Sequence, residues 1–168
     1  MVHFIIPKNS LFIAKKGCFM QKTVILCIGN REGGDDAIGP YIADQLQSQK
    51  IKDLICIDAG IAPENFTGIV KQHHPDRLII VDAIQMKLLP GEIRRVPPEK
   101  IGVMHISTHG IPLSVLIKYF KQEIDTIILI GIQPSNMAGE LTNAVKCAAK
   151  RFIQITISNS FENISILT

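Results

Sequence analysis

The stretch VILCIGNREGGDDAIGP, from Val24 to Pro40, leaves the chain few ways to fold. Val24 to Ile28 is a short unbroken apolar run, the pattern of a strand buried on both faces. Gly29 and Asn30 end it, Gly33 and Gly34 keep the chain loose, and Asp35 and Asp36 open a helix. Ile38, Ile42, Ala43 and Leu46 recur at helical spacing and give that helix one side to lay on a sheet. Pro40 is tolerated in its first turn, where amides have no intrahelical acceptor. Such a strand–loop–helix unit delivers two carboxylates to the C-terminal edge of a central strand, the edge at which open α/β sheets bind ligands.

A chain of 168 residues is expected to form one domain and to bury roughly 70% of its unfolded surface. Its 46% apolar and 20% charged content gives an ordinary globular profile with an Ile, Leu and Val core. A net charge of +3, with Tyr and Phe not interleaved with basic residues, argues against a nucleic-acid partner. Cys18, Cys27, Cys56 and Cys147 form no C-x-x-C pair and read as free core thiols in a reducing cytoplasm. No apolar run approaches the ~20 residues of a membrane helix, so no membrane partner is expected. Nor does the surface show a long apolar stretch, which favours a monomer. Residues 1–22 are interrupted by Pro7, Lys8 and Asn9 and carry no signal-peptide pattern. They read as an upstream extension, with Met20 standing just before the first strand as an alternative start.

Beyond the opening helix the sequence predicts strands at Leu54 to Ile57 and Arg77 to Val81, the latter finishing on Asp82. Between them, Pro63-Glu64-Asn65 begins a partly helical segment that His73-His74-Pro75 ends. GEIRRV, stopped by Pro97-Pro98, has the mixed pattern of an exposed edge strand. A loop with His105 and His109 leads to a helix over Pro112 to Phe120, then a strand over Thr126 to Ile132. A closing helix is expected from Gly139 to about Ile155, and residues 156–168 read as a polar tail that frays. The expected fold is therefore α/β: a three-layer sandwich whose twisted, mostly parallel sheet of about five strands carries helices on both faces. Residues 23–155 form the single α/β domain in this reading.

Three polar residues stand at strand ends or in the longest loop: Asp36, Asp82 and His109. Each has a plain alternative. Asp35 or Asp36 would serve as a helix cap, Asp82 as a turn residue, and a lone loop His as an exposed side chain. If the first and third strands are neighbours, however, right-handed crossovers bring their loops to one crevice. Two carboxylates and an imidazole there make a mixed oxygen and nitrogen metal site, which zinc, nickel and iron all accept. Other chemistries lack their motifs: there is no H-E-x-x-H, G-x-S-x-G, G-x-G-x-x-G or Walker A.

Five blocks in one order, CIGNREGGDDAIGP, IDAGIAPEN, LIIVDAIQMKLLPGEIR, STHGIPLSVLI and ILIGIQP, resemble the maturation endopeptidases of NiFe hydrogenases. The likeness runs from about Val24 to Ile153, and APEN and LLPGEIR are most similar to the branch that processes the hydrogenase of formate hydrogenlyase. It implies an α/β sandwich and one activity, removal of a C-terminal extension from the hydrogenase large-subunit precursor after nickel insertion. The family's metal-contacting positions fall on Asp36, Asp82 and His109, with Asp36 and Asp82 as catalytic residues of an aspartyl-type peptidase. Gly29, Asn30, Thr108 and Gly110 fall on its substrate-binding stretches. Ala37 replaces a common Gly, Gly110 stands where the similar branch often has Asn, and the loop after Pro134 lacks that branch's aromatics.

The expected cofactor is nickel supplied by the substrate, with another divalent metal able to substitute. Two rivals stay open on the sequence: a self-contained metallohydrolase acting on small amides, and a nickel-binding maturation module without enzymatic activity.

Overall fold

Apolar strands with no polar face must be covered on both sides, and this requirement dictates the architecture. The computed structural model describes residues 18–101 and 111–168. A five-stranded sheet has the order β2-β1-β3-β5-β4, formed by β1 (Cys18–Ile28), β2 (Lys52–Gly60), β3 (Arg77–Ala83), β4 (Ile93–Val96) and β5 (Thr126–Ile132). β1, β2, β3 and β5 run parallel, while β4 pairs antiparallel with β5 at the edge. The helices are α1 (Ile38–Gln47), α2 (Thr67–Gln72), α3 (Pro98–Ile101), α4 (Leu113–Phe120) and α5 (Asn143–Ile157).

Strand alternation distributes the core between two layers. Ile25 and Cys27 of β1 and Ile79 and Val81 of β3 pack with α1 and α5, through Ile42, Leu46, Val145 and Phe152. Val24, Leu26, Leu78 and Ile80 face the opposite way, against Val70 of α2 and Leu116 and Phe120 of α4. The three-layer α/β sandwich expected from the sequence is thus the fold observed. β5 has the predicted bounds, and β4 is the predicted edge strand.

Three sequence readings differ from the structure. β1 begins at Cys18 and pairs with Lys52 there, so it starts within the stretch read as an extension; residues 1–17 lie outside the described residues. The second concerns residues 156–168, which do not fray. α5 continues to Ile157, and Phe161, Ile164 and Leu167 are buried. The chain there bonds to β4, with Arg95 N–H donating to the Ser165 carbonyl and Leu167 N–H to the Arg95 carbonyl, both at 2.9 Å. Three apolar anchors at a spacing of three are easily hidden among Ser, Asn and Thr. Cys27 and Cys56 are free, buried and half-buried, with sulfurs 3.6 Å apart. The hydrogen bond with Cys56, then burial, pushes the Cys27 thiol up. Cys147 is free but exposed, so the core-thiol expectation fails for it.

Candidate active site

Strand order decides where this sheet can hold a ligand. From β1 the chain crosses to β2 on one side, then returns to β3 and β5 on the other. The connections therefore diverge between β1 and β3, and an open α/β sheet leaves a crevice at the C-terminal ends of such a strand pair. β1 and β3 are direct neighbours, with Cys27 opposite Val81. Asp82 is the next residue along β3 and is 2% exposed. Asp36, 7% exposed, sits in a 3-10 turn (Gly34–Ala37) that leads from β1 into α1 and packs on β3. Two of the predicted residues thus occupy neighbouring strand ends.

The loop between β1 and α1 is drawn tight. Gly29 has φ +145, and a Cβ placed there would lie 1.9 Å from the Asp36 carbonyl oxygen. Glycine is required because the backbone doubles back onto itself. The Gly29 N–H donates to the Gly60 carbonyl at the end of β2, 2.9 Å away. The next amide, Asn30 N–H, donates to Asp36 Oδ2 at 3.0 Å and so orients that carboxylate. Arg31 reaches back across the loop, gripping both oxygens of Asp44 on α1 at 2.8 and 2.9 Å and Asp58 Oδ2 on β2 at 2.6 Å.

The adjacent acids do different work. Asp35 is fully buried, and its carboxylate accepts N–H groups of Ser135, Asn136 and Thr142 at 2.7, 3.0 and 2.7 Å. The Thr142 hydroxyl donates to it as well, at 3.0 Å. Burial pushes this carboxyl up, but the hydrogen bonds from Asn136, Thr142 and Ser135 together outweigh it and hold it below the usual range. Asp35 therefore stitches the 3-10 turn to the β5–α5 connection, leaving Asp36 at the crevice.

On the β3 side the residues after Asp82 are held by Gln133, which is 4% exposed. Its Oε1 accepts the N–H groups of Met86 and Leu88 at 2.7 and 3.2 Å. Its Nε2 donates to Gln85 Oε1 and the Pro134 carbonyl at 2.8 and 3.0 Å. Both acidic positions are therefore braced from the far end of β5. Sequence reading missed Asp35 and Gln133 as the braces. Their only signal was a polar residue beside an apolar run.

Of the predicted residues, the structure brings Asp36, Asp82, Gly29 and Asn30 to one sheet edge. His109, Thr108 and Gly110 lie outside the described residues, as do His105 and Ser107. Among the described residues no three His, Cys, Asp or Glu side chains are grouped to hold a metal ion. Chemically, the crevice offers two carboxylates, which are hard oxygen donors and candidate proton acceptors.

A mostly parallel, doubly wound sheet with buried acids at its crevice defines an α/β enzyme scaffold. Comparison with known proteins gives the particular class. Residues 40–159 match the family model described as hydrogenase maturation protease, HycI, a range that includes Asp82 and His109 and begins just after Asp36. The hydrogenase 3 maturation protease of Escherichia coli K12 is 43% identical over 112 residues, covering 66% of this chain and 72% of that one. A crystal structure of a hydrogenase 3 maturation protease superposes with TM-score 0.81 at 34% identity, over 89% of this chain and 98% of the other. The HycI protease structure from Thermococcus kodakarensis KOD1 gives TM-score 0.74 at 32% identity, over 86% and 95%. The chain belongs to the hydrogenase maturation protease family. It is a peptide hydrolase.

Proposed function

We propose that this endopeptidase removes the C-terminal extension of a NiFe hydrogenase large-subunit precursor after nickel insertion, and that the precursor's own nickel is what it recognises. The observation that carries the reading is the pair of buried aspartates, Asp36 and Asp82, flanking the crevice where the strand connections diverge. In this reading Asp36, Asp82 and His109 supply oxygen and nitrogen ligands to an ion whose other side is held by thiolates of the precursor. A precursor without nickel offers nothing to these ligands and docks poorly, because discrimination requires a differential interaction. One of the two carboxylates takes the proton of the water that attacks the scissile carbonyl. In the same reading Gly29, Asn30, Thr108 and Gly110 bind the substrate chain. The likeness to hydrogenase 3 maturation proteases favours a substrate of the formate-hydrogenlyase type. The free thiols favour a cytoplasmic enzyme, and the reading takes it to act as a monomer. Among the described residues no helix is long and apolar enough to cross a membrane.

Mass spectrometry of the purified precursor before and after incubation tests this. Nickel-loaded precursor is expected to lose its extension, and nickel-free precursor to stay intact. Equal cleavage of the two would remove nickel as the recognition element. Asp36→Ala, Asp82→Ala and His109→Ala are each expected to slow processing by roughly 100-fold or more, with unchanged circular dichroism. Normal cleavage by His109→Ala would show the ligand set to be wrong.

A further inference from the structure

The two edges of the parallel sheet differ in what they show to solvent. The loops that enter β2, β3 and β5, residues 48–51, 73–76 and 121–125, expose Lys50, Asp76, Lys121 and Glu123 and no large apolar side chain. The loops that leave the C-terminal ends of the same strands each expose one: Ile61, Leu89 and Met137. Apolar side chains scattered singly over a surface are ordinary. Leu89 and Met137 are set apart by where they stand and by how they are held.

β3 and β5 are adjacent, with Asp82 opposite Gly131 and Ala83 opposite Ile132, so the loops bearing Leu89 and Met137 leave the sheet side by side. Met137 lies between two residues that press on the turn carrying Asp36. A Cβ on Gly34 would lie 2.6 Å from both the Asn136 carbonyl oxygen and the Ala138 nitrogen. Asp35 N–H donates to the same Asn136 carbonyl at 2.8 Å. Ala138 N–H donates to Asn136 Oδ1 at 3.2 Å and closes a turn with Met137 at its tip, 43% exposed. Leu89, 75% exposed, is braced on both sides by one residue. The Leu88 N–H donates to Gln133 Oε1 at 3.2 Å, and the Gly91 N–H to the Gln133 carbonyl at 2.8 Å.

A loose loop folds such side chains onto the nearest apolar surface, and a braced loop does not. Leu89 and Met137 are thus held in water until a partner covers them, an arrangement that lowers the ordering cost of binding. The class of enzyme supplies the partner, since a protease brings a polypeptide over this edge to reach the acids. We infer that Leu89 and Met137 form an apolar docking rim on the β5 side of the crevice, packing against apolar side chains of the precursor. Met suits the task because its unbranched thioether adapts to the surface it meets. The rim rests on the proposed function and adds a surface that holds the substrate without touching the reacting bond.

The experiment compares four proteins in processing of nickel-loaded precursor, in calorimetric titration with that precursor and in thermal unfolding. They are the wild type, a Ser pair (Leu89→Ser with Met137→Ser), a conservative pair (Leu89→Met with Met137→Leu) and Ile166→Ser. Ile166 is a control, 54% exposed and bridged to Arg95 of β4. The Ser pair is expected to raise KM and weaken binding about tenfold, with kcat within about twofold and Tm unchanged. The conservative pair should keep KM within about threefold of the wild type, and Ile166→Ser within about twofold. A Ser pair that binds as tightly as the wild type, loses kcat alone or unfolds at a lower Tm would overturn the assignment. So would a conservative pair as poor as the Ser pair, or an equal rise in KM for Ile166→Ser. A wild type that elutes as a dimer in size exclusion, with a monomeric Ser pair, would give the rim to a second copy of this chain instead. Binding without cleavage by the wild type would count against the proposed function, while the titration still reads the rim, so the two failures are told apart.

Discussion

The two ends of the parallel strands handle buried charge in opposite ways. At the N-terminal end, Arg77 donates to the Thr23 hydroxyl oxygen at 3.2 and 3.0 Å and to Asn159 Oδ1, and its guanidinium lies 4.9 Å from the centre of the Phe161 ring. Burial lowers its pKa from the usual guanidinium value, against the pull of Glu162. These partners are neutral or aromatic and bind the C-terminal segment to β1 and β3. At the C-terminal end the buried charges are carboxylates. Asp35 is consumed by amides of the β5–α5 connection, whereas Asp36 and Asp82 are carried at the crevice. One end spends its charge on cohesion. The other uses Asp35 for cohesion, with Arg31 tying Asp44 to Asp58 at the surface, and keeps Asp36 and Asp82 at the strand ends.

The contrast breaks most readily at Asp35, where the largest stability effect is expected. Asp35→Ala takes a buried carboxylate away from three amides and a hydroxyl at once, and the loss should reach about 3 kcal/mol or more, measured by urea unfolding. The acid limb supplies a second reading. Hydrogen bonding holds the folded carboxyl below the usual range despite burial, so its stabilisation is complete above the unfolded value of about 4. It is lost as pH falls through the lower folded value. The wild type should therefore lose stability across that acid window, and Asp35→Asn should show a shallower decline there. A loss under about 1 kcal/mol in Asp35→Ala would mean the acid is not the brace.

Arg77→Met comes next and sharpens the division between the two ends. It removes the donors from Thr23 and Asn159 and the cation from the Phe161 face, and the expected cost is about 1–3 kcal/mol. Precursor cleavage by the folded variant should stay within about twofold of the wild type, because Arg77 stands at the opposite end of β3 from Asp82. A selective drop in kcat/KM in a fully folded variant would show the two ends to be coupled.

How far the sequence foretold this arrangement depends on whether a signal was local. β5 and β4 were legible because an unbroken apolar run and a mixed pattern before Pro97-Pro98 are properties of a few adjacent residues. Asp36 and Asp82 were legible as acids at strand ends, conditional on β1 and β3 being neighbours, and they are. Asp35 could not be separated from Asp36, because its partners Ser135, Asn136 and Thr142 lie about 100 residues away. Gln133 had the same handicap, since its acceptor role exists only once the residues after β3 fold against it. The C-terminal segment carries no such signal, because its burial rests on isolated residues, Phe161, Ile164 and Leu167, rather than on a run. His109 stands out only by its loop and the family likeness, and lies outside the described residues.

The smallest effect is expected at Arg31, which tests whether cohesion at the C-terminal end comes from geometry or from surface charge. Its contacts are numerous, and they raise its pKa through Asp44 first and then Asp58 while lowering that of Asp44. Yet Arg31 is 55% exposed and Asp44 51%, so solvent screens most of the attraction. The Asn30 amide that orients Asp36 belongs to the same loop but is fixed independently by the Gly29–Gly60 bond and the close approach at Gly29. Arg31→Ala should therefore cost under about 1 kcal/mol, with the deficit shrinking as salt is added to unfolding experiments. Cleavage should fall by less than about threefold, since the backbone alone keeps Asn30 in place. A tenfold or larger loss of kcat that added salt reproduces in the wild type would reverse this ordering. The Arg31 grip, rather than the glycine turn, would then be what aims the Asp36 carboxylate.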